Sequence, residues 1–160
     1  MSTHSDVPSP IDALHLLVRA THALQREMEN ELTTYPIPYP ISAPRLRVLE
    51  AVAATGSVRM KELAERLNIK ARTVTDFVDA LERDGLLLRM PDPTDGRATL
   101  IRLTELARNH LNEALAYQAQ VASRMLANLP DEERSHLCQL LHKLIEGKDT
   151  ANMAGPTPGA

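Results

Sequence analysis

The sequence is poor in aromatic residues and nearly free of cysteine. Its 160 residues include no tryptophan, one phenylalanine, three tyrosines and one cysteine. A lone Cys138 excludes an intrachain disulfide framework and a cysteine-based zinc site. With aromatics at 2%, the core has to come from Leu, Val, Ile, Ala and Met, which favours packed helices. The six glycines stand singly, so no glycine-rich loop can cradle a phosphate. No apolar run approaches the roughly 18 residues of a membrane span. The N-terminus lacks the basic and apolar regions of a signal peptide, so the cytoplasm is the expected compartment and no membrane partner is expected. Ser42 and Ser57 have no His or Asp partner in a catalytic motif, and His136 and His142 share no helix face. An enzyme, a cofactor and a metal site are therefore not expected.

The length predicts one folded unit, and the apolar fraction of 43% is ordinary for a globular protein. The net charge of −3 argues against a uniformly basic nucleic-acid binder. Its distribution is uneven, however. Residues 43–103 hold 11 Lys/Arg against 9 Asp/Glu, a balance of +2, and the rest of the chain is acidic.

The most informative stretch is 60–103. Met60–Leu67 reads as a short helix with Leu63, Ala64 and Leu67 inward, and Asn68–Lys70 as a tight turn. Over 70–81, Val74, Phe77, Val78 and Leu81 recur at three- and four-residue steps, the stripe of a second helix. Two helices joined this closely predict a helix-turn-helix, whose second helix is sized for a DNA major groove. Residues 86–90 and 98–103 have strand composition, and Pro91–Arg97 between them is rich in turn chemistry. Together they predict a β-hairpin wing, with Arg97 at a tip that can enter a minor groove. Ser57–Arg59 fits a third short strand beside it.

The flanks read as helices. Ser9 and Pro10 start one that runs to about Thr33, with Ile11, Leu14, Leu17, Val18, Leu24, Met28 and Leu32 on its apolar face. Alternating prolines make 35–40 an extended connector. Ser42 caps a helix ending near Gly56. Thr104 opens a long helix to about residue 128, and a last helix spans 131–146 after Pro130. Residues 1–8 and 148–160 read as loose tails around one unit over 9–147. The fold class is mainly α with a small β-hairpin wing. The flanking helices, 9–33 and 104–147, carry more apolar surface than a small winged lobe at 43–103 can cover, which predicts a two-fold homodimer.

The run Asp92-Pro93-Thr94-Asp95-Gly96-Arg97-Ala98, followed by Leu103-Thr104, resembles the wing signature of the MarR family of transcriptional regulators. Glu62–Leu67, Thr73–Thr75 and Val78–Leu86 resemble that family's helix-turn-helix, so the resemblance covers about residues 44–106. It implies a dimer bound to double-stranded DNA, a repressor released from a pseudo-palindromic operator by a small aromatic or anionic ligand. It also gives Arg97 the minor-groove role, with Asp95 bracing its guanidinium.

The residues themselves supply the remaining candidates. Arg72, Thr73 and Thr75 suit base edges and phosphates, and Lys70 and Arg89 suit phosphates, with Arg59 and Lys61 as further backbone contacts. Asp76 has two readings. It accepts from a cytosine amino group, or it lowers DNA affinity in general. Segment 70–84 is net acidic, and Arg72 and Asp76 are spaced to pair. The resemblance implies a ligand cleft, for which His15, Arg19, His22, Tyr35, Tyr39 and Arg45 are the candidates. The plainer reading of His15, Arg19 and His22 is a solvated or dimer-packed face. Two rival functions stand beside the regulator. One is a winged-helix adaptor that has lost DNA binding. The other is a redox sensor using Cys138, although a buried, inert thiol is the expected state of that residue.

Overall fold

The computed structural model describes residues 7–37 and 39–148, so the expected tails, 1–8 and 148–160, lie outside them but for residues 7, 8 and 148. Among the described residues the order is α1 (Pro10–Thr33), α2 (Ala43–Ala53), β1 (Ser57–Arg59), α3 (Met60–Leu67), α4 (Ala71–Arg83), β2 (Leu87–Pro91), β3 (Thr99–Leu103), α5 (Glu105–Met125) and α6 (Asp131–Ile145). No helix of this set is long and apolar enough to cross a membrane.

The helix starts follow from local chemistry. Ser9, Ser42 and Thr104 each accept the backbone N–H three residues on, with Asp12, Arg45 and Ala107 as donors at 3.2–3.3 Å. α3 ends because Asn68 takes the left-handed conformation, φ 50°, which asparagine tolerates better than most residues. α4 runs two residues beyond the expected span. It stops at Gly85, φ 75°, where Leu86 N–H closes on the Leu81 carbonyl at 2.8 Å. α5 ends three residues early. Leu129 precedes Pro130 and cannot stay helical, so the chain unwinds through Ala127→Arg124 and Leu129→Leu126 bonds.

The sheet order is β1-β3-β2, all antiparallel. Ser57–Arg59 is the third strand, and it pairs with β3 from Ser57↔Arg102 to Arg59↔Leu100. β2 pairs with the other side of β3, from Leu87↔Leu103 to Pro91↔Thr99. Pro91 closes an edge strand, where its missing N–H costs no ladder bond.

One core holds these elements together. Leu46, Val52, Val58, Leu63, Val74, Val78, Leu81, Leu86 and Ile101 are each at most 1% exposed. They come from α2, α3, α4 and all three strands or their edges, so the helix-turn-helix and the base of the wing share one interior. Leu32 from α1 and Leu111 and Ala114 from α5 extend it. Glu31 ties α1 to α5: it accepts from Arg124 at 2.8 Å, and Tyr117 Oη donates to its backbone carbonyl at 3.2 Å.

The outer helices are different. α6 has no buried residue, and its Leu140, Leu144 and Ile145 are exposed. Ile11, Leu14, Leu16, Val18 and Leu24 of α1 are exposed as well. The expected state of Cys138 is corrected here. It is exposed, on a helix that has no buried residue.

Candidate nucleic-acid interface

α4 turns Val74, Val78 and Leu81 into the core, and this fixes what faces out. Arg72, Thr75 and Asp76 are exposed and Thr73 is half-buried, all away from that stripe. Thr75 Oγ1 donates back to the Ala71 carbonyl at 3.0 Å, so its hydroxyl hydrogen is already engaged within the helix. Lys70 sits at the N-cap and offers no side-chain acceptor to the first turn. Positive backbone ends and cationic side chains thus coincide at the start of α4, a setting that favours phosphate.

The wing tip is built on two aspartates. Asp95 Oδ1 accepts the backbone N–H of Arg97 at 3.1 Å. This corrects the expected bracing. Asp95 shapes the turn that carries Arg97 and does not hold its guanidinium. The Arg97 side chain is exposed with no partner among the described residues, Asp92 and Asp95 included.

Asp92 is the residue that sequence reasoning missed. It is only 6% exposed, the one buried charged side chain among the described residues. Its Oδ1 accepts from Thr94 N and Oγ1 at 2.9 and 2.8 Å, and its Oδ2 accepts from Arg59. Hydrogen bonds from the Thr94 backbone and hydroxyl, with the Arg59 guanidinium added, hold its carboxyl down at about 2. The Asx-turn spacing Asp92-Pro93-Thr94 was a visible signal for the local part. The partner 33 residues earlier was not. Arg59, expected on phosphate, is committed to this latch.

Arg89 was also expected on phosphate. Its guanidinium instead bridges Asp79 and Glu82 of α4, the latter at 3.0 Å. The hydrogen bond to Asp79 chiefly raises its pKa, and both carboxylates add to the effect. The expected Arg72–Asp76 pair is absent among the described ion pairs.

The six cleft candidates separate. Arg45 pairs with Asp84, its side chain 12% exposed, so it braces the end of α4. Tyr35 stacks on Tyr117 with ring centroids 4.6 Å apart, and Tyr39 meets His110 edge-on at 6.0 Å. Burial, then Tyr35 and Glu113, raise the Tyr39 pKa, so its phenol stays a neutral donor. Tyr117 and His110, on α5, were not singled out from sequence, because nothing local marks them as neighbours of 35–39. His15, Arg19 and His22 lie exposed along α1, with no bond to the tyrosines among the described residues.

Residues 41–99 match the MarR family. The chain is 31% identical over 104 residues to the uncharacterized HTH-type transcriptional regulator YdgJ of Bacillus subtilis, covering 65% of this chain and 63% of that protein, just under two thirds of its length. It is 29% identical over 110 residues to the HTH-type transcriptional repressor MdtR of the same organism, covering 69% and 71%. Its structure superposes on that of a protein described as a probable transcriptional regulator from Pseudomonas aeruginosa, with a TM-score of 0.72, 26% identity, and 82% and 95% of the two chains covered. The three-stranded sheet, the helix-turn-helix and the Asp92–Arg97 wing all agree with that match. Residues 41–99 thus match the MarR family, and the chain carries a winged helix-turn-helix there.

Proposed function

We propose that the protein is a homodimeric transcriptional regulator, a repressor that binds double-stranded DNA at a pseudo-palindromic operator. The observation that carries this reading is the unpaired Arg97 at the tip of a wing whose base is locked to the helix-turn-helix. A rigid hairpin holding one free guanidinium in solvent is suited to a narrow minor groove. Lys70, Arg72, Thr73 and Thr75 on α4 then meet the adjacent major groove. The name of MdtR, a repressor, supports the same direction.

The dimer is supported by the exposed apolar side chains of α1 and α6. Leu14, Leu140 and Leu144 are each about half exposed, at 54%, 48% and 51%, on helix faces left open by the described residues. Two copies joined there carry two wings to half-sites about 10 base pairs apart or a multiple of that. The aromatic group Tyr35, Tyr39, Tyr117 and His110 lies where the connector meets α5, and suits a planar aromatic or anionic effector. Such an effector acts only by binding the released state better than the DNA-bound one.

Gel-shift titration on the promoter region beside the protein's own gene, repeated at several salt concentrations, tests this function. Specific binding with a steep salt slope is expected. Equal affinity for the promoter and for random duplex would favour the adaptor reading.

A further inference from the structure

Three of the four carboxylates in segment 70–84 are ion-paired to two arginines from outside it. Arg89 of β2 takes Asp79 and Glu82. Arg45 of α2 takes Asp84. The acidic balance of the recognition segment is therefore cancelled by tertiary contacts, and one carboxylate remains. Asp76 is exposed and enters no ion pair or side-chain hydrogen bond among the described residues. Arg72, one turn before it, is equally unpaired, and no bond joins the two.

Helical geometry puts Asp76 at the crest of the outward face. At 3.6 residues per turn, Arg72, Asp76 and Arg83 fall nearly opposite the buried Val74, Val78 and Leu81. A docked recognition helix presses that crest into the groove. A carboxylate there loses water and faces the negative potential of the phosphates. It lowers affinity for every duplex unless a base donates to it. The major groove offers donors only from the amino groups of cytosine and adenine, and carboxylates pair with the cytosine N4 group. Guanine O6 and N7 and thymine O4 are acceptors and would repel it.

We infer that Asp76 is a specificity-determining residue, accepting a hydrogen bond from the exocyclic amino group of a cytosine in each half-site and excluding guanine and thymine at that position. This rests on the DNA-reading function proposed above. The test is enrichment of duplexes from a randomised pool by the full-length protein, by Asp76→Ala and by Asp76→Asn, followed by affinity measurements on the winners. The wild type is expected to fix one C·G pair per half-site with about tenfold discrimination. Asp76→Ala is expected to lose that preference alone. Asp76→Asn is expected to move it toward adenine, whose N6 and N7 match an amide. If all three proteins select the same bases, and Asp76→Ala binds every duplex more tightly, the carboxylate merely repels DNA and the inference is overturned. A wild-type protein that enriches no sequence at all is a different outcome. It removes the DNA-reading function, and the role of Asp76 with it.

Discussion

Arg59 and Asp92 are joined through two guanidinium nitrogens on one carboxylate oxygen, Nη2 at 2.6 Å and Nε at 2.8 Å from Oδ2. Arg59 ends β1 and caps α3, so this pair fixes the base of the wing to the start of the helix-turn-helix. Replacing Asp92 with Ala removes the Thr94 bonds as well as the Arg59 pair, whereas Arg59→Ala leaves Thr94 in place. Operator affinity is expected to fall in both variants, further in Asp92→Ala, and in neither by more than in Arg97→Ala. Trypsin cleavage at Arg97 should accelerate in the same order. A loss exceeding that of Arg97→Ala would mean that Asp92 does more than hold the wing.

The same carboxylate sets an acid limit. Its pKa is lowered from 3.8 to about 2 in the folded protein, so its contribution is complete above the unfolded value and is lost as pH falls through the folded one. Wing order is expected to be constant from neutral pH down to about 4 and to decline toward about 2. The Thr94 amide resonance, followed by NMR, reads this directly. A midpoint near 4 would show that the carboxylate is not held as described.

Arg97→Ala should leave folding unchanged, since the side chain is exposed and makes no hydrogen bond or ion pair among the described residues. DNA binding should weaken by about 1–3 kcal/mol, with the slope of log K against log salt shallower by about one per removed contact. Isothermal titration at several salt concentrations, alongside thermal unfolding, separates the two effects. Full affinity in this variant would take the wing out of the interface.

Lys70→Ser should move stability and binding in opposite directions. The N-cap of α4 lacks a side-chain acceptor, and serine supplies one, worth about 1 kcal/mol. The lost cation lowers DNA affinity and the salt slope. A rise in unfolding free energy without any loss of DNA affinity would show that Lys70 faces no phosphate.

Arg89→Met is expected to cost about 1 kcal/mol or less in stability, since its partners are partly solvated. It also leaves Asp79 and Glu82 uncompensated beside the DNA face, so affinity should drop. Adding Asp79→Asn should recover part of that affinity. No recovery would mean that Arg89 touches phosphate itself.

Much of this protein is written in local pattern. The caps at Ser9, Ser42 and Thr104, the α4 stripe and the wing turn all depend on residues within four positions of one another, and so they are legible in order along the chain. The β1 strand was legible as well, because Ser57–Arg59 sits between a glycine stop and a helix start. The partners of charged side chains were not. Arg59 and Arg89 look like surface cations suited to DNA, and Arg45 like a cleft residue, yet each is held by a carboxylate outside its own element. Nor does the sequence show that Tyr117 would stack on Tyr35, 82 positions away.

The sequence by itself determined the helices, the wing and the set of residues turned outward, because periodicity and capping act over a single turn. Only the tertiary structure decided which charges stay available to a partner. Ion pairing depends on distances of a few ångströms between segments far apart in the chain, and packing alone sets those distances. It consumed Arg59, Arg89 and Arg45, and left Arg72, Asp76 and Arg97 facing solvent.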